Sequence, residues 1–160
     1  MIVGIDDFKV EAQIPGLFPL DEMSPSSSVI SERVQSFIDR YEPLFLYKFF
    51  GNDTDKVSEL MSYYTSMERN DEEKNKLLCA LKSPIADYVA YHYFRSETIV
   101  NTTIGGVVEQ GENGKKSSTI DLCTRLWNDM CEKSRYIYTA IIKKECPNTE
   151  VFKYVNAMNL

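Results

Sequence analysis

One histidine, His92, and four cysteines, Cys79, Cys123, Cys131 and Cys146, are the side chains of this chain best suited to nucleophilic or metal chemistry. A thiol attacks only after a neighbouring base or cation has lowered its pKa, and an imidazole works as a general base only within hydrogen-bond reach of the proton it takes. His92 lies in YVAYHYFR, an aromatic run in which a core or edge histidine with one hydrogen-bond partner is the simpler reading. The cysteines form no CxxC pair and match no zinc spacing, so they read as small core side chains of a protein from a reducing cytoplasm. Asp6-Asp7 and the DEEK run at 71–74 lack the D-x-D-x-D-G order of a calcium loop. No enzyme, metal site or cofactor is expected.

The Gly-rich stretch TTIGGVVEQGENGKK, at 102–116, is the other candidate for chemistry. A phosphate-cradling P-loop needs G-x-x-x-x-G-K-[ST]; here Glu109 stands where the first glycine belongs, and Lys116 where the hydroxyl belongs. The dinucleotide fingerprint G-x-G-x-x-G is absent too, and Glu109 and Glu112 would repel phosphate oxygens. What remains is β-branched sequence on both sides of Gly105-Gly106, a pair suited to a two-residue hairpin turn. One reading is a solvated helix connection; the other is a hairpin with an exposed edge that grips a neighbour. The apolar alternation favours the gripping hairpin.

Composition narrows the partners. The chain has 160 residues, 43% hydrophobic, with a formal net charge of −6, enough for one domain with a core. Nucleic-acid affinity comes mostly from phosphate neutralisation by Lys and Arg, and no basic run exceeds the pairs Lys115-Lys116 and Lys143-Lys144. Tyr88, Tyr91, Tyr93 and Phe94 could stack on bases only beside a basic groove, which Arg95 and His92 alone do not make, so aromatic core packing is expected. No signal peptide and no membrane span is expected.

The pattern predicts a mainly α protein, a bundle of about five helices with an extended loop or short hairpin at about 98–116. Residues 1–28, rich in Pro and Ser, read as an irregular arm with at most a short strand or small helix in FKVEAQI. The helical domain spans 29–147 and a short C-terminal helix 148–160. A first helix starts near Ser31, places Val34, Phe37, Ile38, Tyr41 and Phe45 on one face, kinks or breaks at Pro43 and stops at Gly51-Asn52. Asp53 or Thr54 caps a second, with Val57, Leu60, Met61 and Tyr64 inward. NDEEKNKLLCALK gives a third with an acidic first turn. A fourth starts with Ser83 as cap and Pro84 at the first position, and being apolar nearly all round it should be central. Ser118 to Asp121 opens a fifth that runs to about Cys146, with Ile120, Cys123, Trp127, Met130, Ser134, Ile137 and Ile141 as its stripe and Pro147 as its end. The C-terminal helix should present Val151, Phe152 and Val155 to something.

Two stretches carry a resemblance. FIDRYEPLFLYKFFGN, and the segment running from PIADYVAYHYFRSE through T-x-x-G and E-N to W-N-x-M, together resemble small proteins of tailed phages and prophages of gut anaerobes. Those proteins are similar to head–tail connector, or head-completion, proteins. The matching residues are Tyr41, Glu42, Gly51, Tyr88, Tyr91, Tyr93, Arg95, Thr103, Gly106, Glu112, Asn113, Trp127, Asn128 and Met130, within about 30–132; Pro43 and Gly114 depart from the pattern.

The resemblance implies a virion structural protein of the phage neck, made in the host cytoplasm. It would form a ring with itself, twelve-fold to match a portal, and contact portal and tail or stopper proteins, with DNA only as passing cargo and no membrane. A projecting element would dock on the next subunit. The residues expected at that interface are Thr102, Thr103, Ile104, Gly105, Gly106, Val107, Val108, Glu112, Asn113, Phe152 and Val155, with Tyr41, Tyr88, Arg95 and Trp127 structural and Arg95 paired with Glu112. Two other classes compete: a monomeric helical regulator docking its C-terminal helix on one host protein, and a hydrolase using Cys or Asp with His92.

Overall fold

The computed structural model describes residues 1–9, 12, 14–15, 17, 25–97, 100–102, 105–107, 119–142, 144 and 152–155. A 3-10 turn, Ile5–Lys9, precedes four helices: α1 (Pro25–Phe49), α2 (Thr54–Thr65), α3 (Glu72–Glu97) and α4 (Thr119–Tyr136). Strands β1 (Val100–Thr102) and β2 (Gly105–Val107) lie between α3 and α4, and a π-helical turn, Ile137–Ile142, continues α4. The protein is a mainly α bundle, with four helices among the described residues where the sequence predicts about five.

The missing break is at Pro84. Ser83 and Pro84 do not open a new helix; they lie inside α3, and Pro84 is buried. A proline inside a helix costs about 3 kcal/mol, because it donates no hydrogen bond and crowds the carbonyl four residues back. On either side of it Leu81, Ile85 and Val89 are fully buried, and each contributes about 1.5–3 kcal/mol. Packing therefore outweighs the proline. The carbonyl that loses its helical donor belongs to Ala80, a residue that lines an open groove.

Pro43 follows the same logic. It lies within an unbroken α1, where a kink or break was expected, and Ile38, Phe45, Leu46 and Phe49 are all buried around it. Pro43 and Asp39, whose carbonyl loses its partner, both face solvent. Helix α1 stops as expected: Gly51 and Asn52 adopt φ of +68° and 67°, and the Asn52 amide donates to the Tyr47 carbonyl at 2.8 Å. Asp53 caps α2, accepting from the amides of Asp55 and Lys56. Asp71 accepts from the Lys74 amide at the start of α3, next to Glu72 and Glu73 in its first turn.

Helix α3 is central, as its all-round apolarity implies. Every residue from Pro84 to Tyr91 is buried, and α1, α2, α4, the π turn and the N-terminal 3-10 turn all pack on it. The face of α4 turned to it carries Cys123, Leu126, Met130, Cys131 and Ser134. Two members of the expected stripe fall outside that face: Ile120 is exposed and Trp127 is half-buried at its edge. The helix also changes form before Cys146. From Ile137 it widens into the π turn, in which Ile137 and Tyr138 are both buried. The Tyr138 hydroxyl donates to the Phe49 carbonyl at the end of α1. Ser118, Cys146 and Pro147 lie outside the described residues.

The N-terminal residues, expected as an arm, belong to the core. Ile2, Val3, Phe8, Ala12, Ile14 and Leu17 are all buried. What holds the first of them is Glu42, a carboxylate only 1% exposed. It accepts from the Ile2 amide at 2.9 and 3.0 Å and from the Val3 amide at 2.9 Å. A buried carboxylate is stable only when its oxygens are bonded, and two main-chain donors meet that need here.

Candidate functional site

The chemistry-bearing residues are placed as follows. His92 sits on α3 in an aromatic box: Tyr41 stacks on it at 3.9 Å and 8°, and Tyr88 and Tyr91 stand edge-on at 4.6 and 5.0 Å. Burial, and then the cations Arg95, Lys48 and Arg40, hold its pKa down at about 4, so it is a neutral imidazole at pH 7. Its Nε2 is buried without a hydrogen bond among the described residues. Cys123 and Cys131 are buried free thiols as expected, whereas Cys79 is exposed. Burial pushes the Cys123 thiol up, with Arg95 pulling the other way, so it stays protonated. Among the described residues no group of three His, Cys, Asp or Glu side chains could hold a metal ion, and no helix is long and apolar enough to cross a membrane.

An open groove of about 500 Å³ runs between α3 and α4, with Ala80, Tyr136 and Ile137 among its apolar walls and Asp129 and Glu132 among its charges. Beside it Asp87, buried on α3, pairs with Lys133 of α4 at 2.8 Å. This pair ties the two helices together across the groove.

Of the expected interface residues, Thr102, Gly105, Gly106 and Val107 lie in a two-stranded antiparallel ribbon, which pairs Val100 with Val107, Asn101 with Gly106 and Thr102 with Gly105. Gly105 and Gly106 are therefore in β2 and not at the turn. Glycines carry no side chain to pack, so this strand offers its neighbours mainly backbone. Among the described residues the ribbon's main contacts are between its own two strands. Thr103, Ile104, Val108, Glu112 and Asn113 lie outside the described residues, and so does any contact of Glu112 with Arg95. The Arg95 guanidinium donates to the Tyr91 hydroxyl at 2.8 Å, one turn back on α3.

The C-terminal residues behave differently from expectation. Phe152 is not offered outward: it is 3% exposed, packed against Phe49 and Tyr138 at 5.8 and 5.3 Å. The backbone that follows it is held by one face of α4. Trp127 donates through Nε1 to the Lys153 carbonyl at 2.8 Å, and the Cys131 thiol lies 3.3 Å from the same oxygen. Asn128 both accepts from the Val155 amide at 3.0 Å and donates to its carbonyl at 3.1 Å, as a neighbouring strand would. Arg135 donates to the Phe152 carbonyl and lies over the Tyr154 ring at 4.3 Å. Val155 is half-buried by this grip.

Sequence reading missed this clamp and the Glu42 lock. Trp127 and Asn128 stood out only as part of W-N-x-M, and Trp127 was expected in the core. The available signal was polar side chains, Asn128 and Arg135, on the flank of an apolar stripe.

The residues present thus define a mainly α protein whose distinctive parts are a self-paired ribbon and two backbone-gripping helices. Compared with protein-family models, curated proteins and solved structures, the chain finds no match.

Proposed function

We propose that this protein is a structural adaptor of the head–tail connector type, assembling with copies of itself and with portal and tail or stopper proteins at a phage neck. The observation that carries the reading is the ribbon Val100–Thr102/Gly105–Val107, whose main contacts among the described residues are between its own two strands. A two-stranded ribbon has an unpaired outer edge on each strand, and such edges add to a partner's backbone. The motif resemblance names the setting, and the net charge of −6 suits a wall that passes DNA without holding it.

Two facts weigh against the alternatives. The hydrolase would need an activated thiol or a basic imidazole, whereas burial holds the Cys123 thiol up and holds the His92 pKa down at about 4. The regulator would need its C-terminal segment free, whereas Phe152 is in the core.

Deleting 102–112 tests the reading. The deleted chain is expected to keep its helical circular dichroism and lose incorporation into particles. Global unfolding, or normal incorporation, sinks the role given to the ribbon.

A further inference from the structure

We propose that the open groove between α3 and α4 is a binding site for an arginine side chain carried by a partner protein, held by the Asp129 and Glu132 carboxylates, the Tyr136 ring and the Ala80 carbonyl. No residue of the ribbon is among its described lining, and the inference does not draw on the connector reading.

Spacing puts the recognising groups together. Asp129, Glu132 and Tyr136 follow one another at intervals of three and four on α4, so they share one face. Ala80 of α3 lines the same space of about 500 Å³, a volume typical of ligand sites. Both helices depart from regular geometry beside it. Pro84 takes the helical donor from the Ala80 carbonyl, and Ile137, another lining residue, opens the π turn. Single π turns are frequent at functional sites.

The groove presents acceptors, and its lining cation is engaged. Lys133 is paired at 2.8 Å with Asp87, a carboxylate only 1% exposed. Asp129 and Glu132 have no hydrogen-bond or ion-pair partner among the described residues, and the Tyr136 ring is 65% exposed. Two carboxylates and a carbonyl beside an open aromatic ring call for a cation with several donors. A guanidinium has five N–H donors in a flat fork, and its plane stacks on an aromatic face. An ammonium is a compact, more strongly hydrated charge that spans two separate acceptors less well. Ala80 and Ile137 supply apolar wall for the aliphatic stem.

Charge also selects the source. Free arginine brings its own carboxylate against Asp129 and Glu132, and like charges set side by side are repelled. An arginine inside a polypeptide has no such carboxylate, and an open groove admits the main chain that bears it.

Titrations of the isotope-labelled full chain, followed by amide chemical shifts, test the site. A capped glycine–arginine–glycine peptide should move the amides of Ala80, Glu132 and Tyr136 saturably, with a Kd in the millimolar range. The same peptide with citrulline, the neutral isostere, should give no saturable shift, and free arginine should bind more weakly than the peptide. Butylguanidine, which has the stem and the charge but no main chain, should also bind more weakly. Asp129→Asn with Glu132→Gln should weaken the peptide at least about tenfold, and Tyr136→Leu should weaken it by less. No saturable shift with the arginine peptide, an equal response to the citrulline peptide, or unchanged affinity in the folded double variant overturns the site. Butylguanidine or free arginine binding as tightly as the peptide overturns the partner protein as the source. The citrulline comparison needs no variant to fold, so it decides the matter even if the double variant does not.

Discussion

Both ends of the described chain are held by a helix side chain that reads main-chain atoms, and the two grips differ in kind. At the N-terminal end one carboxylate, Glu42, takes two amides in a site closed to water, beneath Ile2 and Val3. At the C-terminal end four side chains share the work on a partly open face, with Trp127 and Asn128 only half-buried. A buried charge whose partners leave is stranded, so the first grip can open only with the fold. The second is made largely of neutral bonds worth about 0.5–1.5 kcal/mol each, and it can open by itself. Concentrated and buried contacts make a fastener; distributed and wetted ones make a latch.

The sharpest break of this contrast is Glu42→Leu. Two buried amides lose their acceptor at about 1–3 kcal/mol each, so urea unfolding should show a loss of about 2–6 kcal/mol. A loss below about 1 kcal/mol would mean that the N-terminal residues are not fixed by Glu42. Trp127→Ala comes next. Its indole packs on Tyr91 at 4.9 Å but keeps one side in solvent, so about 2–3 kcal/mol is expected, below the range for a fully buried aromatic.

Acid should weaken the whole fold by a smaller amount. His92 has an unfolded pKa of 6.5 and a folded one of about 4. Between those values the unfolded chain binds the proton and the folded chain does not, so stability falls as pH drops from about 6.5 towards 4. Allowing for screening at a site near solvent, the loss is about 1–2 kcal/mol. Urea midpoints measured across that window should slope for the wild type and flatten for His92→Phe. The smallest effect is Asn128→Ala, at about 1 kcal/mol. Its signature is local: hydrogen exchange at the Val155 amide should quicken while amides of α3 keep their protection. Uniform loss of protection would show that the latch is part of the global unit after all.

Legibility in the sequence follows the range of the interactions. The stop at Gly51-Asn52, the Asp53 cap and the all-round apolarity of α3 depend on neighbours within a turn or two, and each is read correctly from the chain. Pro43 and Pro84 mislead because their local cost is visible in the sequence while the compensating burial of Ile38, Phe45, Leu81 and Ile85 is not. Glu42 meets Ile2 across 40 positions, and Asn128 meets Val155 across 27, so neither grip has a local sign. Phe152 reads as a helical face residue because helical spacing cannot tell an outward apolar residue from one that an extended segment drives into the core. The β-branched residues around Gly105-Gly106 point to a hairpin at 98–116, but they misplace the glycines in its turn, because Gly-Gly fits a turn as readily as a strand.

The widened turn at Ile137–Ile142 sets where the polypeptide heads after α4. In an ordinary helix each residue advances the direction of travel by about 100°, so the one extra residue per turn in the wide form acts as an angular spacer. Excising a single residue there would let the coil tighten to the ordinary pitch and leave the outgoing chain on its present bearing, whereas the same deletion within α4 would re-aim it by roughly that angle. The bearing of the last stretch of chain is therefore kept by the pitch of six residues upstream of it.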